Sequence, residues 1–236
     1  MIEIEGLSKR YTSSRSEIPA LSNFSLVVEE GQAVALLGPN GAGKSTVVEI
    51  LSTLVRADSG RASVAGFEVE TSPHRVRDVI GVVQQDTGLH SGGRVRQLLS
   101  LHARLFGLSR AGAAKRADEL IELARLENVA GRKVRQLSGG MRRRLDICLS
   151  LIHSPSVLLL DEATSSLDPV SRQDLWDEFA RLRDNGTCIL FASQDIEETE
   201  RLADWVGVLA NGTLQDVIPP SHVRDLWDGD SGDFAR

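Results

Sequence analysis

The sequence predicts an α/β fold: a mostly parallel central sheet, an N-terminal antiparallel β subdomain, and an α-helical subdomain inserted between two halves of the sheet. Three observations carry this expectation. Ala33 to Leu37, Val157 to Leu160, Thr187 to Phe191 and Trp205 to Leu209 are short continuous apolar runs, the form of strands covered on both faces. Ile2 and Ile4 alternate with Glu3 and Glu5, and Ala62 to Val64 and Phe67 to Val69 flank Ala65-Gly66, the pattern of half-exposed antiparallel strands and a hairpin. Residues 94 to 127 carry helical spacing, with Leu98, Leu101 and Leu105, then Leu120, Leu123 and Leu126, as the expected apolar stripe.

The organisation that follows is one domain over residues 1–236. Residues 1–86 and 155–218 are expected to form the catalytic and β lobe, 87–154 the helical subdomain and 219–236 a C-terminal tail. Thr12 to Pro19 and Asp228 to Arg236 are polar enough to be expected mobile. A chain of 236 residues, 41% hydrophobic and 25% charged, buries a sizeable core, which excludes disordered and collagen-like architectures. Lys and Arg total 27 against 33 Asp and Glu, a net charge of -6, so nucleic acid is not an expected partner. The apolar runs fall far short of the roughly 18 residues needed to span a bilayer. The first residues show neither a basic region nor an apolar stretch of a secretory signal, so the expected compartment is the cytoplasm. Cys148 and Cys188 both sit in apolar stretches, the pattern of buried free thiols rather than a disulfide or zinc site.

Gly38-Pro39-Asn40-Gly41-Ala42-Gly43-Lys44-Ser45, followed by Thr46, satisfies the spacing of a phosphate-binding loop between an apolar strand and a helix marked by Val47, Ile50, Leu51 and Leu54. Glycines let backbone amides turn inward around a phosphate, and the helix start adds its positive end. Lys44 supplies a point charge for the β and γ phosphates, and the Ser45 hydroxyl can ligate Mg²⁺. The fold class is therefore narrowed to a P-loop NTPase core. Val157 to Leu160 leads into Asp161-Glu162, two carboxylates at the carboxyl end of a buried strand, where ligands bind in open α/β sheets. Asp161 would hold Mg²⁺, and Glu162 would act as general base on the attacking water.

Leu137-Ser138-Gly139-Gly140-Met141, just upstream of the acidic pair, narrows this class further. The chain resembles an ABC transporter ATP-binding subunit, over almost its whole length and with every element in the family's order: Tyr11, the phosphate loop, Gln85, the LSGG run, the acidic pair and Ser165-Ser166-Leu167-Asp168. The runs 137–145 and 102–108 look most like the daunorubicin-resistance type of drug exporter. The resemblance implies ATP and Mg²⁺ as cofactors, a second ATP-binding subunit as partner in a homo- or heterodimer, and separate integral membrane permease subunits. It places the chain on the inner face of the membrane through that permease. Ser138, Gly139 and Gly140 would cap the γ phosphate held by the other subunit's phosphate loop. Asp168 would lie on the loop crossing the dimer, and Tyr11 would stack on the adenine. Gln85 would contact Mg²⁺ or water between the lobes, although Gln84 leaves the register open, and 86–99 would form the groove for a membrane partner.

The function so implied is ATP hydrolysis that powers an exporter of a drug-like or other small hydrophobic compound. Two alternatives stay open: an importer ATPase, and an ATP-gated subunit that hydrolyses weakly. The second rests on Gln194, which stands where most relatives have a histidine against the γ phosphate. An amide donates a hydrogen bond there but carries neither charge nor proton. Arg142 to Arg144 are expected on a solvated helix face. The short segment after Leu214 leads to the expectation of no regulatory domain.

Overall fold

The computed structural model describes residues 1–12, 17–85, 88, 92–228 and 233–234. In chain order, β1 (Ile2–Thr12) and β2 (Glu17–Val28) are followed by β3 (Ala33–Leu37) and α1 (Lys44–Leu51). Next come β4 (Ser59–Val64), β5 (Phe67–Glu68), α2 (Pro73–Val79) and β6 (Ile80–Val83). The helical insertion carries α3 (Val95–Leu105), α4 (Arg110–Leu123) and α5 (Gly139–Ser150). The chain returns through β7 (Val157–Asp161), α6 (Pro169–Asp184), β8 (Cys188–Ala192), α7 (Ile196–Leu202), β9 (Trp205–Ala210) and β10 (Thr213–Ile218).

Six strands form the central sheet in the order β10-β9-β3-β8-β7-β6. All its pairings are parallel except β9 with β10. A second, antiparallel sheet has the order β2-β1-β4-β5. All five residues of β3 are buried, and they alternate between two cores. Ala33, Ala35 and Leu37 join the cluster that contains the inserted helices, whereas Val34 and Leu36 join the cluster shared with α1 and the antiparallel sheet. Burial on both faces is why the run reads as continuously apolar.

Three expectations change. The apolar stripe of α3 is Val95, Leu99 and Ala103, with Leu98 half-buried, while Leu101 and Leu105 are 52% and 73% exposed. Ala103 and, on α4, Ala113 and Ala117 are buried, so the packed face of these helices is written partly in small side chains. A search for large apolar residues passes over such positions. Thr12 and Glu17 to Pro19 are paired strand residues, with Thr12 opposite Glu17 and Arg10 opposite Pro19. Residues 13–16 of that polar stretch lie outside the described residues. At the other end, Trp227–Asp228 pairs with Asp233–Phe234, and 229–232, 235 and 236 lie outside the described residues. The third change concerns Arg143 and belongs with the site.

Candidate functional site

The loop after β3 gathers the first group of expected site residues. Gly43 has φ +107, and a Cβ there would sit 2.4 Å from the Ala20 carbonyl oxygen, so both backbone conformation and space demand glycine. As N-cap of α1 it supplies no side-chain hydrogen bond, which leaves the first amides of the helix for an anion. Pro39 and Ala42 close the turn through a 3.1 Å backbone hydrogen bond, and Ala42 accepts one from Gly212 at 3.0 Å, bracing the loop against the β9–β10 turn. Lys44 is buried, and its Nζ donates to the carbonyls of Gly38 at 2.6 Å and Pro39 at 3.0 Å. Burial holds its pKa below the usual lysine range, opposed by the charges of Glu162 and Asp161. Thr46 is buried on the first turn of the same helix.

Asp161 ends β7, beside β8 in the sheet. Burial raises its carboxyl pKa, against a hydrogen bond from Ser45 that favours the ionised form. Its Oδ1 is buried with no hydrogen-bond partner among the described residues. An orphaned carboxylate oxygen beside a hydroxyl is a fitting donor set for Mg²⁺, which takes hard oxygen ligands. Glu162, the next residue, has φ +47, a left-handed conformation that a non-glycine residue adopts at a cost. Its amide donates to the Ala192 carbonyl at 3.0 Å. Its carboxylate accepts a 2.6 Å hydrogen bond from Gln194 Nε2, which also donates to Asn40 Oδ1 at 2.8 Å. Gln194 thus ties the acidic pair to the phosphate loop.

The other expected residues lie on separate elements. Ser138 is the N-cap of α5, with Oγ accepting from the Met141 amide at 3.3 Å. Ser138 and Gly139 are exposed. Neither Gly139 nor Gly140 has a positive φ, and a Cβ on Gly139 would meet nothing within 4 Å among the described residues. Asp168 caps α6, its Oδ1 accepting from the Ser171 amide at 3.0 Å, and hydrogen bonds from Ser171 hold its pKa down. Tyr11 is partly exposed, and its hydroxyl donates to Glu49 of α1 at 2.8 Å, fixing the ring beside the helix that leaves the phosphate loop. Gln84 and Gln85 follow β6 with exposed side chains and are held through their carbonyls. Of the expected groove 86–99, residues 86, 87 and 89–91 lie outside the described residues.

Arg143 corrects the expectation of a solvated arginine face. It is 3% exposed and donates to the carbonyls of Ala163, Asp161, Glu162 and Gln84, and to that of Gln85 at 3.4 Å. Three consecutive helical residues fan over about 200° and cannot all face water, and Arg143 shares its side of the helix with Ile147 one turn on. Arg144 is also drawn in, donating to the Ala124 carbonyl at 3.1 Å. A second unforeseen group surrounds Glu198, which is buried and accepts from Thr164 at 2.5 Å, Ser193 at 2.5 Å and the Trp176 indole at 3.0 Å. It joins the turn after the acidic pair to the segment carrying Gln194. No periodicity marks it, because its partners come from three separate elements.

A profile of the ABC transporter family matches residues 21–165. The chain belongs to the ABC transporter family. It is 43% identical over 229 residues to the daunorubicin resistance ATP-binding protein DrrA2 of Streptomyces coeruleorubidus, covering 97% of this chain and 70% of that one. It is 42% identical to the doxorubicin resistance ATP-binding protein DrrA of Mycobacterium tuberculosis, covering 90% of this chain and 64% of the relative. The Nod factor export ATP-binding protein I of Ralstonia nicotianae is 41% identical, with coverages of 90% and 65%. The chain therefore spans about two thirds of the length of these curated relatives. A solved dimeric ATP-binding cassette in a post-hydrolysis state with ADP and Pi superposes with a TM-score of 0.87 at 25% identity, covering 93% of this chain and 99% of that one. Among the described residues no helix of this ABC cassette is long and apolar enough to cross a membrane.

Proposed function

We propose that this chain is the ATP-hydrolysing subunit of an exporter, driven by ATP-dependent head-to-tail pairing with a second cassette. The observation that carries the reading is the meeting, at one end of the parallel sheet, of a buried lysine in a phosphate loop, an unpartnered Asp161 oxygen beside Ser45, and Glu162 tied to Asn40 by Gln194. Asn40, Gly41, Ala42, Gly43, Lys44, Ser45 and Thr46 cradle the phosphates, with Gly38 and Pro39 shaping the loop. Ser45, Asp161 and Gln85 hold Mg²⁺, which when bound neutralises charge on the phosphate oxygens. Glu162 takes the proton of the water that attacks the γ phosphorus as the bond to the β-phosphate oxygen breaks, leaving ADP and phosphate. Tyr11 faces the adenine, and Asp168 lies at the dimer crossing.

The exposed Ser138 and Gly139, the glycine with open space where a Cβ would stand, support a role for the Ser138, Gly139 and Gly140 turn against a second copy or a related cassette. The names of the relatives, which concern resistance to daunorubicin and doxorubicin and export of Nod factor, support export of a small hydrophobic or amphiphilic compound by permease subunits bound at the groove of the helical insertion. The domain division is 1–86 with 155–218, 87–154 and 219–236, and the chain sits on the inner face of the membrane through its permease.

Gln194 favours a second reading, an ATP-gated or asymmetric subunit of low turnover, because a neutral amide occupies the place of a titratable ring. The deciding measurement is steady-state Mg²⁺-ATP hydrolysis of the chain beside Gln194→His and Glu162→Gln, with nucleotide binding followed separately. Ready turnover lost only in Glu162→Gln supports the motor. Tight binding with negligible turnover, rescued by Gln194→His, supports the gated subunit and overturns the first reading.

A further inference from the structure

We infer that Arg143 is a positioning residue for ATP hydrolysis, a clamp by which the helix that begins at Ser138 holds the Glu162 turn and the Gln84-Gln85 segment in fixed relation. The inference rests on the ATPase reading above.

β6 and β7 run parallel, with Val83 opposite Leu160, and beyond that pair the two chains part. The guanidinium fills the fork. Its Nε donates to the Ala163 carbonyl at 2.6 Å, and Nη2 donates to the carbonyls of Asp161 and Glu162 at 2.9 Å each. Nη1 serves the other branch, donating to the carbonyls of Gln84 and Gln85. One side chain therefore satisfies three consecutive carbonyls of the catalytic turn and two of the glutamine segment, where the ladder has stopped supplying donors.

An ion pair does not explain the residue. The charged partner within salt-bridge distance among the described residues is Asp146, at 3.8 Å and one turn along the same helix, which gives Arg143 no link to the catalytic turn. A planar fork with five N–H groups reaches both branches at once, whereas a lysine ammonium is a compact point donor. The clamped turn contains Glu162, whose left-handed backbone requires support from its surroundings. Arg143 bonds the carbonyl of Glu162 itself and those on either side. The carboxylate that must meet the attacking water and the segment expected to face Mg²⁺ are thus referenced to one rigid group, itself anchored on the helix whose first residues face outward.

A role confined to stability would lower melting temperature and nucleotide binding along with turnover. Positioning predicts a split. In Arg143→Met, kcat is expected to fall about a hundredfold, the scale of a misplaced catalytic group, while affinity for a fluorescent ATP analogue stays within about threefold. Arg143→Gln, which keeps two N–H groups, is expected to fall between Arg143→Met and the unaltered chain. Adding Arg143→Met to Glu162→Gln should cause little further loss, because the two act on one step. Peptide-level hydrogen exchange on the full chain without nucleotide should speed up in the segments holding 84–85 and 161–164 together. Should Arg143→Met fail to fold, Arg143→Lys, which keeps the charge but not the fork, carries the same kinetic and exchange tests.

Turnover retained within about threefold in a folded variant overturns the inference. So does a loss of nucleotide affinity as large as the loss of kcat, or faster exchange in only one of the two segments. Absence of turnover in the unaltered chain would instead defeat the ATPase reading, and the exchange result would still decide whether the clamp exists.

Discussion

The phosphate loop and the Ser138–Gly140 turn are both glycine-rich starts of helices, and they use glycine for different reasons. Gly43 is required by its own subunit, through a positive φ and the Ala20 carbonyl oxygen 2.4 Å from any Cβ. Gly139 has an ordinary φ and open space where a Cβ would stand. One turn is finished inside the chain, and the other keeps room for something outside it. On the proposed function, the difference separates what a cassette does alone from what it does in a pair, and each half can be attacked separately.

The largest expected effect lies in the finished half. Glu162→Gln should cut ATP turnover by about a thousandfold while leaving nucleotide binding intact, measured by phosphate release beside an equilibrium titration. Next, Gly43→Ala should lower stability by about 2–4 kcal/mol and weaken nucleotide binding, because the left-handed cost adds to the clash. Denaturant unfolding of Gly43→Ala and Gly139→Ala side by side breaks the comparison if the two fall equally.

A smaller effect tests the clamp's surroundings. Burial pushes the Asp146 carboxyl up to about 6 against the attraction of Arg143, so the folded state holds a proton that the unfolded chain releases near 3.8. The associated stability is fully present below the unfolded value and is lost as pH rises through about 6, on the order of 2–3 kcal/mol. Asp146→Asn should flatten the stability profile between those two pH values, and an unchanged slope would assign it to other groups. The smallest effect on stability belongs to Gly139→Ala, within about 0.5 kcal/mol. Its consequence should surface instead as lost ATP-dependent pairing by light scattering.

What the sequence made legible were features with short-range grammar. β3 and β7 are continuous apolar runs because both faces are covered, and the phosphate loop, the acidic pair and the LSGG run are contiguous. β2 was harder to read: Asn23 at φ +51 and register shifts in its pairing with β1 interrupt the alternation that marks a strand. Arg143 and Glu198 escaped for a related reason. A buried charge declares itself only through partners far away in sequence, and for Arg143 these are carbonyls, which every residue possesses. Leu101 and Leu105 misled in the opposite sense, as large apolar side chains on an exposed face of α3 beside a packed face made of Val95, Leu99 and Ala103.

The Glu198 cluster also makes the protein its own optical instrument. The Trp176 indole donates to Glu198 Oε1 at 3.0 Å, and Glu198 Oε2 accepts from Ser193 at 2.5 Å, one residue before Gln194. Two hydrogen bonds thus join the residue before Gln194 to a buried fluorophore. Emission from Trp176, isolated by replacing Trp205 and Trp227 with phenylalanine, should shift on ATP addition and remain still in Glu198→Gln, giving a label-free readout of nucleotide binding.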